Sequence, residues 1–215
     1  GKSIVLALFT KILFKKSKKN LVINFNEKNN DIFFILNKRN NEYSDKNIIE
    51  KNENLGSKID VIDGKIFVES GKFNKEKFEK INANYDRIYI ENYFENDNEI
   101  EQEILKISNE IIFLSQPNLL EISKSKKILE RYINRYLIEK EKINILFNKY
   151  NKYSIDENLL KKIFFEFDFI GKIKFNNKYN LLLNGQAFFN LKKIKKEYFK
   201  IYKKLEKGGI NIWRN

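Results

Sequence analysis

The sequence predicts an α/β fold, a mostly parallel sheet with helices on both faces. Two observations carry this. Short β-branched, apolar runs alternate along the 215 residues with longer stretches of helical spacing, the order expected of parallel strands joined by helical crossovers. Those runs are also apolar on both faces, as strands covered from both sides must be. No convincing linker and no internal repeat breaks the alternation. One domain over residues 1–190 is therefore expected, followed by an amphipathic helix and tail over residues 191–215.

Taken in order, helical spacing covers residues 3–18, and Leu21 to Phe25 reads as the first strand of the chain. Ile59 to Ile62 and Ile66 to Ser70 flank Asp63-Gly64, which is expected to turn a hairpin. Arg87 to Glu91, Glu110 to Ser115, Lys142 to Asn148 and Asp168 to Ile173 are further strands. Helices are expected over residues 74–82, 97–108, 118–138, 156–165 and 188–207. Pro117, the only Pro, stands just past one strand and just before a helix, where its fixed φ is tolerated. The polar stretch Asn37 to Asn54 is the weakest part of the predicted fold. Parallel sheets bind ligands at the carboxyl ends of their strands.

The composition excludes much chemistry. There is no Cys, His or Met, so no zinc site of the usual type, no Ser-His-Asp triad, no thiol nucleophile and no disulfide. Chemistry falls to carboxylates, Lys, Ser, Thr, Tyr, backbone N–H groups and a bound ion. No apolar run reaches the ~20 residues of a membrane span, and the run from Ile4 to Phe14 has no signal-peptide cleavage site; a cytoplasmic location is expected. A chain without an initiating Met is expected to be a fragment. The net charge is +13, which raises nucleic acid or an anionic membrane as partner. Lys, Asn and Ile together make up 100 residues, and Arg occurs five times. That bias reads as a solvated lysine surface rather than a nucleic-acid patch.

Gly1-Lys2-Ser3 is the form in which phosphate-binding loops end. A mostly apolar helix follows at once (Ile4, Leu6, Ala7, Leu8, Ile12, Leu13), and a strand follows about twenty residues on. In a complete unit the Lys ammonium sits on the β- and γ-phosphates, the Ser hydroxyl holds Mg²⁺ and the helix N-terminus faces the anion. The three residues alone are equally compatible with a helix start capped by Ser.

The rest of the chain, in order, resembles the MinD/ParA superfamily of deviant-Walker ATPases, most closely the branch with the pilus-assembly proteins CpaE and TadZ. Gly1-Lys2-Ser3 lines up with the end of the loop K-G-G-x-G-K-[ST]. KKNLVINFNEKNNDIFFIL matches the strand ending in D-x-D, with Asp31 in the acidic position after it. DGKIFVESGKFNKEKFEKINANYDRIYIENYFEND is similar to the strand, helix and Y-D-x-I-I-I-D strand. SNEIIFLSQPNLLEISKSKKILERY resembles the segment A-D-E-I-I-L-V-x-x-P. INILFNKYNKYSID matches the strand ending in N-[RK], and FIGKIKFNNKYNLLLNGQ the late I-P-x-D segment.

The resemblance implies a P-loop fold whose first strand and most of whose phosphate loop lie upstream of Gly1. It implies ATP and Mg²⁺ as cofactors, with Gly1 and Lys2 on phosphate and Ser3 on the metal. Asn148 would hydrogen-bond adenine and Lys149 the base or ribose, although a strand-end Asn can equally satisfy a turn. Several acidic positions depart from the pattern. Asn24 stands where the family's catalytic Asp is expected and Asn26 where the second acid would be. Glu91 replaces the Walker B Asp, and the late segment reads IKFN. An amide takes no proton near neutral pH and holds Mg²⁺ more weakly than a carboxylate, so weak or absent hydrolysis is implied. Glu91 is the remaining metal-shell carboxylate, with Asp31, Glu95 and Asp97 as substitutes; Asp-to-Asn drift in a decaying copy is the rival account.

In the last helix, Leu191, Ile194, Tyr198, Ile201, Tyr202 and Leu205 make one apolar stripe opposite a lysine face. It reads first as a core-covering helix; the other reading is a membrane-surface helix anchored by Phe199 and Trp213. The expected function is an ATP-dependent, homodimeric spatial organiser, its partner a pilus or secretion machinery protein. The alternatives are a non-enzymatic scaffold of the same fold and a DNA-partitioning ATPase that grips DNA non-specifically.

Overall fold

The computed structural model describes residues 2–13, 19–26, 32, 59–93, 98–177 and 192–207. Gly1, Asp31, Glu95, Asp97, Trp213 and the polar stretch 37–54 lie outside the described residues. The described residues divide into two compact units. One comprises the described residues up to Glu101 and the start of the last helix, Lys192–Lys195; the other comprises 102–177 together with that helix from Lys196 on.

The first unit is built on a three-stranded parallel sheet of order β2-β1-β5. Its strands are β1 (Asn20–Asn26), β2 (Ile59–Asp63) and β5 (Arg87–Tyr93). Leu21, Val22, Ile23 and Phe25 of β1 are all buried, which is why this run carries no polar alternation. Helix α1 (Lys2–Leu13) packs on the sheet with Ile4, Val5, Ala7, Leu8 and Phe9 buried. Thr10, an interruption in that apolar run, returns its hydroxyl to the Leu6 carbonyl at 2.8 Å and so is buried without penalty. Helix α2 (Lys75–Asn82) is N-capped by Asn74, which accepts the Lys77 N–H at 2.9 Å.

The hairpin expected at Asp63-Gly64 is not there. β2 runs parallel to β1 and passes into a 3₁₀ turn over Gly64–Phe67, capped by the Asp63 side chain on the Lys65 N–H. Gly64 is needed for packing: a Cβ there would come within 2.5 Å of the Phe25 ring. The reversal lies seven residues later, where β3 (Val68–Glu69) and β4 (Lys72–Phe73) pair antiparallel around Ser70-Gly71, with φ of 49° and 76°. Both turn residues are left-handed, as a two-residue hairpin loop requires. Phe25, Phe67, Phe73 and Phe78 gather beneath it with ring centroids 5.7–6.4 Å apart.

The second unit repeats the pattern. Its parallel sheet has the order β6-β7-β8, formed by β6 (Ile111–Ser115), β7 (Ile143–Tyr150) and β8 (Asp168–Lys174). Helix α3 (Glu99–Ile107) precedes β6, with the division between the units falling after Glu101. Helix α4 (Leu119–Asn134) is N-capped by Asn118 and anchored to β6 by a 2.7 Å bond between the Ser115 and Ser125 hydroxyls. It ends earlier than the predicted residue 138. Leu137 takes a left-handed φ of 57° and the Ile138 N–H returns to the Tyr132 carbonyl at 3.0 Å, which closes the helix while Tyr136 and Ile138 stay in the core. Helix α5 (Glu157–Ile163) is capped by Asp156.

Helix α6 (Lys192–Lys207) packs on this unit through the fully buried Tyr198 and through Ile201, which lies against Gly171. Those two contacts belong to the core-covering reading of the apolar stripe; Phe199 is solvent-exposed. Among the described residues no helix is long and apolar enough to cross a membrane.

Candidate functional site

In the first unit the chain's chemistry meets at the carboxyl ends of β1 and β5, beside the start of α1. Register puts Asn24 between Asp63 of β2 and Glu91 of β5. Because α1 is apolar on several sides it sinks into the unit, and this carries Ser3 inward. The Ser3 hydroxyl donates to Glu91 Oε1 at 2.6 Å, across 88 residues of sequence, and both residues are buried. Asn26 Nδ2 donates to the same oxygen at 3.4 Å, and Asn24 Oδ1 accepts the Asn26 N–H at 2.9 Å. Asn26 thus serves as a donor to Glu91 in a place where a second carboxylate would repel it.

Glu91 Oε2 is buried and has no hydrogen-bond partner among the described residues. A buried carboxylate oxygen left this way is costly. Burial raises the Glu91 pKa, against the Ser3 and Asn26 hydrogen bonds and the positive charge of Lys2. Lys2 reaches the Asn92 carbonyl at 3.5 Å. It is accessible at the surface, yet enough protein surrounds its ammonium that desolvation lowers its pKa, opposed by the charges of Glu91 and Glu101. The cluster therefore offers one cation, one hydroxyl and one carboxylate oxygen at a helix N-terminus. That donor set fits a divalent cation with an anion beside it: a hard oxygen pair for the metal and an ammonium for the anion. Among the described residues no three carboxylates gather into a protein-only metal cage.

The second unit presents a separate cleft at the carboxyl ends of its strands. Asn148 lies buried in β7, two residues before the strand's end, and its Oδ1 accepts the Lys149 N–H at 2.8 Å, while Lys149 itself is left-handed (φ 58°). This is the turn-satisfying bond that a strand-end Asn can make, and it leaves the amide nitrogen outside that bond. The loop after Lys149 is fixed by its own polar groups. Asn151 N–H donates to Ser154 Oγ, Tyr153 N–H to Asn151 Oδ1, and Ile155 N–H to the Pro117 carbonyl, at 2.8, 2.8 and 3.0 Å. The result is a cleft of about 370 Å³ lined by Gln116, Pro117, Asn118, Lys149, Tyr153 and Phe175 among others. Lys149 lines it; Asn148 is not among its lining residues.

One contact and two lining residues escaped the sequence reading. The contact of Asn26 with Glu91 was hidden because an amide in an acidic position reads as a loss. The aromatic walls Tyr153 and Phe175 come from loops with no periodicity to mark them.

No family model and no curated protein matches the chain. Solved structures do match it. The MinC:MinD cell division protein complex of Aquifex aeolicus aligns at a TM-score of 0.72 and 15% identity, covering 96% of this chain and 91% of that one. MinD complexed with Mg-ADP from Pyrococcus horikoshii OT3 aligns at 0.72 and 12%, covering 100% and 94%. A plasmid partition protein of Borrelia burgdorferi B31 bound to AMPPNP aligns at 0.70 and 18%, covering 94% and 92%. At this identity the likeness is one of fold: the chain has the mostly parallel, helix-covered fold of the MinD/ParA ATPases.

Proposed function

We propose that this protein binds ATP with Mg²⁺ and acts as a nucleotide-dependent spatial organiser that turns its nucleotide over slowly or not at all. The observation that carries the reading is the buried Ser3–Glu91 hydrogen bond at 2.6 Å, with Glu91 Oε2 left over beside it. Two residues so far apart in sequence are brought together at a helix N-terminus beside a lysine. Phosphate would sit at that N-terminus against Lys2, and Mg²⁺ would be held by Ser3 Oγ and Glu91, where it neutralises phosphate charge. Asn148 and Lys149 are assigned to the base on the resemblance alone. Gly1 is assigned to phosphate on the sequence pattern alone.

Slow turnover follows from the amides. Hydrolysis of a phosphoanhydride needs an oriented water and a metal. Asn24 Oδ1 is engaged with the Asn26 backbone, and Glu91 Oε1 takes two donors. Neither arrangement supplies a second carboxylate to orient water. The resemblance to the CpaE/TadZ branch supports a homodimer formed around nucleotide and a pilus or secretion assembly as the object organised.

Equilibrium titration of a fluorescent ATP analogue tests the reading. Lys2→Ala is expected to weaken binding by about tenfold or more, the scale of a lost charge-assisted bond to phosphate. Equal affinities for the parent and the variant would remove Lys2 from the site and the proposal with it.

A further inference from the structure

The second unit exposes apolar and aromatic side chains beside its clefts in a way that its own core does not explain. Leu119 and Leu120, in the first turn of α4, are 78% and 66% exposed, Tyr153 is 84% exposed and Phe175 is 55% exposed. They stand on segments that meet at one cleft. Leu119 directly follows Pro117 and Asn118, which line the cleft together with Tyr153 and Phe175, and the Ile155–Pro117 bond holds the 151–155 loop against this corner. Isolated exposed leucines are ordinary, but exposed apolar side chains on segments that converge on one concavity mark a contact surface.

The surroundings are cationic. An adjoining cleft, also of about 370 Å³, shares Asn151 with the first and is lined otherwise by Tyr150, Lys152, Lys172 and Lys174. Among the described residues no Asp or Glu lines either cleft. Of the nearby carboxylates, Glu121 pairs with Lys124 at 3.2 Å and Glu157 with Lys161 and Lys172 at 2.7 and 2.6 Å, Glu197 accepts the Lys174 N–H at 3.3 Å, and Asp156 acts on Lys172. Lys172 also lies 4.3 Å above the Tyr150 ring and Lys152 lies 4.8 Å from the centre of the Tyr153 ring. The ammonium groups of Lys172 and Lys152 thus stand over aromatic faces. The loop is preorganised by the Asn151 and Ser154 bonds, so little ordering is required on binding.

We propose that this corner of the second unit, rimmed by Leu119, Leu120, Tyr153 and Phe175 and backed by Lys152, Lys172 and Lys174, docks an acidic peptide segment of a partner protein that carries leucine or aromatic anchors. Charge complementarity selects the acidic chemistry and disfavours a second copy of this cationic face, which would meet like charge. The aliphatic pair Leu119-Leu120 favours a peptide over single-stranded nucleic acid, which would stack on aromatic rings and gain little from leucines. Two adjoining concavities suit individual side chains better than a flat bilayer surface. The proposal uses none of Lys2, Ser3 and Glu91; it shares with the nucleotide reading only the cleft wall at Lys149, and its test is therefore run without nucleotide.

The test is selection of a random 12-residue peptide display library on the full chain without nucleotide. Affinities of the selected peptides are then measured by fluorescence anisotropy. The expected result is enrichment of Asp and Glu together with Leu, Phe or Trp. Binding should fall at least about tenfold both in the Leu119→Ser/Leu120→Ser variant and in the Lys152→Glu/Lys174→Glu variant. These positions are exposed or charged, and circular dichroism checks that both variants keep the fold. Basic or charge-indifferent selected peptides would overturn the proposal, as would peptides whose affinity neither variant changes. It is equally overturned if a dT₂₀ oligonucleotide or anionic phosphatidylserine vesicles bind the same face more tightly than any selected peptide and lose that binding in the same variants.

Discussion

Glu91 in the first unit and Glu157 in the second have opposite surroundings. Glu91 is buried, receives its hydrogen bonds on one oxygen and leaves the other without a partner; burial pushes its pKa up. Glu157 stands at the surface with Oε1 on Lys161 and Oε2 on Lys172, and those hydrogen bonds bring its pKa down to about 2. A carboxylate with both oxygens committed is structural. One that is desolvated and half-committed costs stability, and such a cost persists in sites that await a ligand. Glu110 lies between the two. It is partly buried at the start of β6, accepts one bond from Asn144 Nδ2 at 3.2 Å, and burial raises its pKa to about 7.

Neutral amides at the three positions sharpen or break this comparison. The largest effect is expected at Glu91. Glu91→Gln should lower Mg²⁺-dependent ATP affinity by about tenfold or more, yet leave the protein at least as stable to heat. A carboxyl whose folded pKa is raised carries no penalty below its unfolded pKa and gains one as pH rises through the folded value. The stability gain of Glu91→Gln should therefore grow with pH in thermal melts. A variant less stable than the parent at pH 8 would contradict the assignment of Glu91 as a ligand-awaiting group.

Glu110→Gln comes next. Its folded pKa is also raised, so Glu110 lowers stability progressively between the ordinary carboxylate range and about pH 7. Urea unfolding at pH 8 should show the variant more stable by on the order of 2–3 kcal/mol, with the gap closed at pH 4. A gap that does not depend on pH would break the account of this group.

Glu157→Gln should have the smallest effect. Its pairs are exposed, and such pairs are each worth under about 1 kcal/mol. The sign is reversed. The folded pKa is lowered, so the contribution is present above the unfolded carboxylate pKa and is lost as pH falls through about 2. A mild loss of stability at pH 7 that shrinks in acid is expected, and it should also shrink in 0.5 M salt.

Gly64 tests the fold rather than the site. Gly64→Ala should destabilise by about 1–3 kcal/mol, because the added methyl meets the Phe25 ring inside a packed aromatic group. It also marks where the sequence misled. Asp-Gly between apolar runs is a strong hairpin signal, but here the glycine gives way to a ring, and the turn chemistry sits in Ser70-Gly71. The strands themselves were legible because burial on both faces makes them mostly apolar without alternation, as in β1 and β7. Helix ends were less so: nothing local tells that Leu137 would go left-handed while Tyr136 and Ile138 stay in the core. Of the site, Gly1-Lys2-Ser3 and Glu91 could be named from the order of motifs. Their contact could not, because it depends on α1 sinking far enough into the unit to bring Ser3 within reach of β5. The cleft by Lys149 was half-legible, through Asn148-Lys149 and Pro117. Its aromatic walls are placed by loop hydrogen bonds that leave no periodic trace.

The central claim is that Ser3 and Glu91 form one magnesium-nucleotide site. A double-mutant cycle of ATP affinity, with and without Mg²⁺, by isothermal titration calorimetry on the parent, Ser3→Ala, Glu91→Gln and the double variant tests it directly. The claim predicts that Mg²⁺ tightens ATP binding in the parent, that either single substitution removes most of that gain, and that the double variant loses little more than either single one. The same Mg²⁺-dependent gain in all four proteins would contradict it.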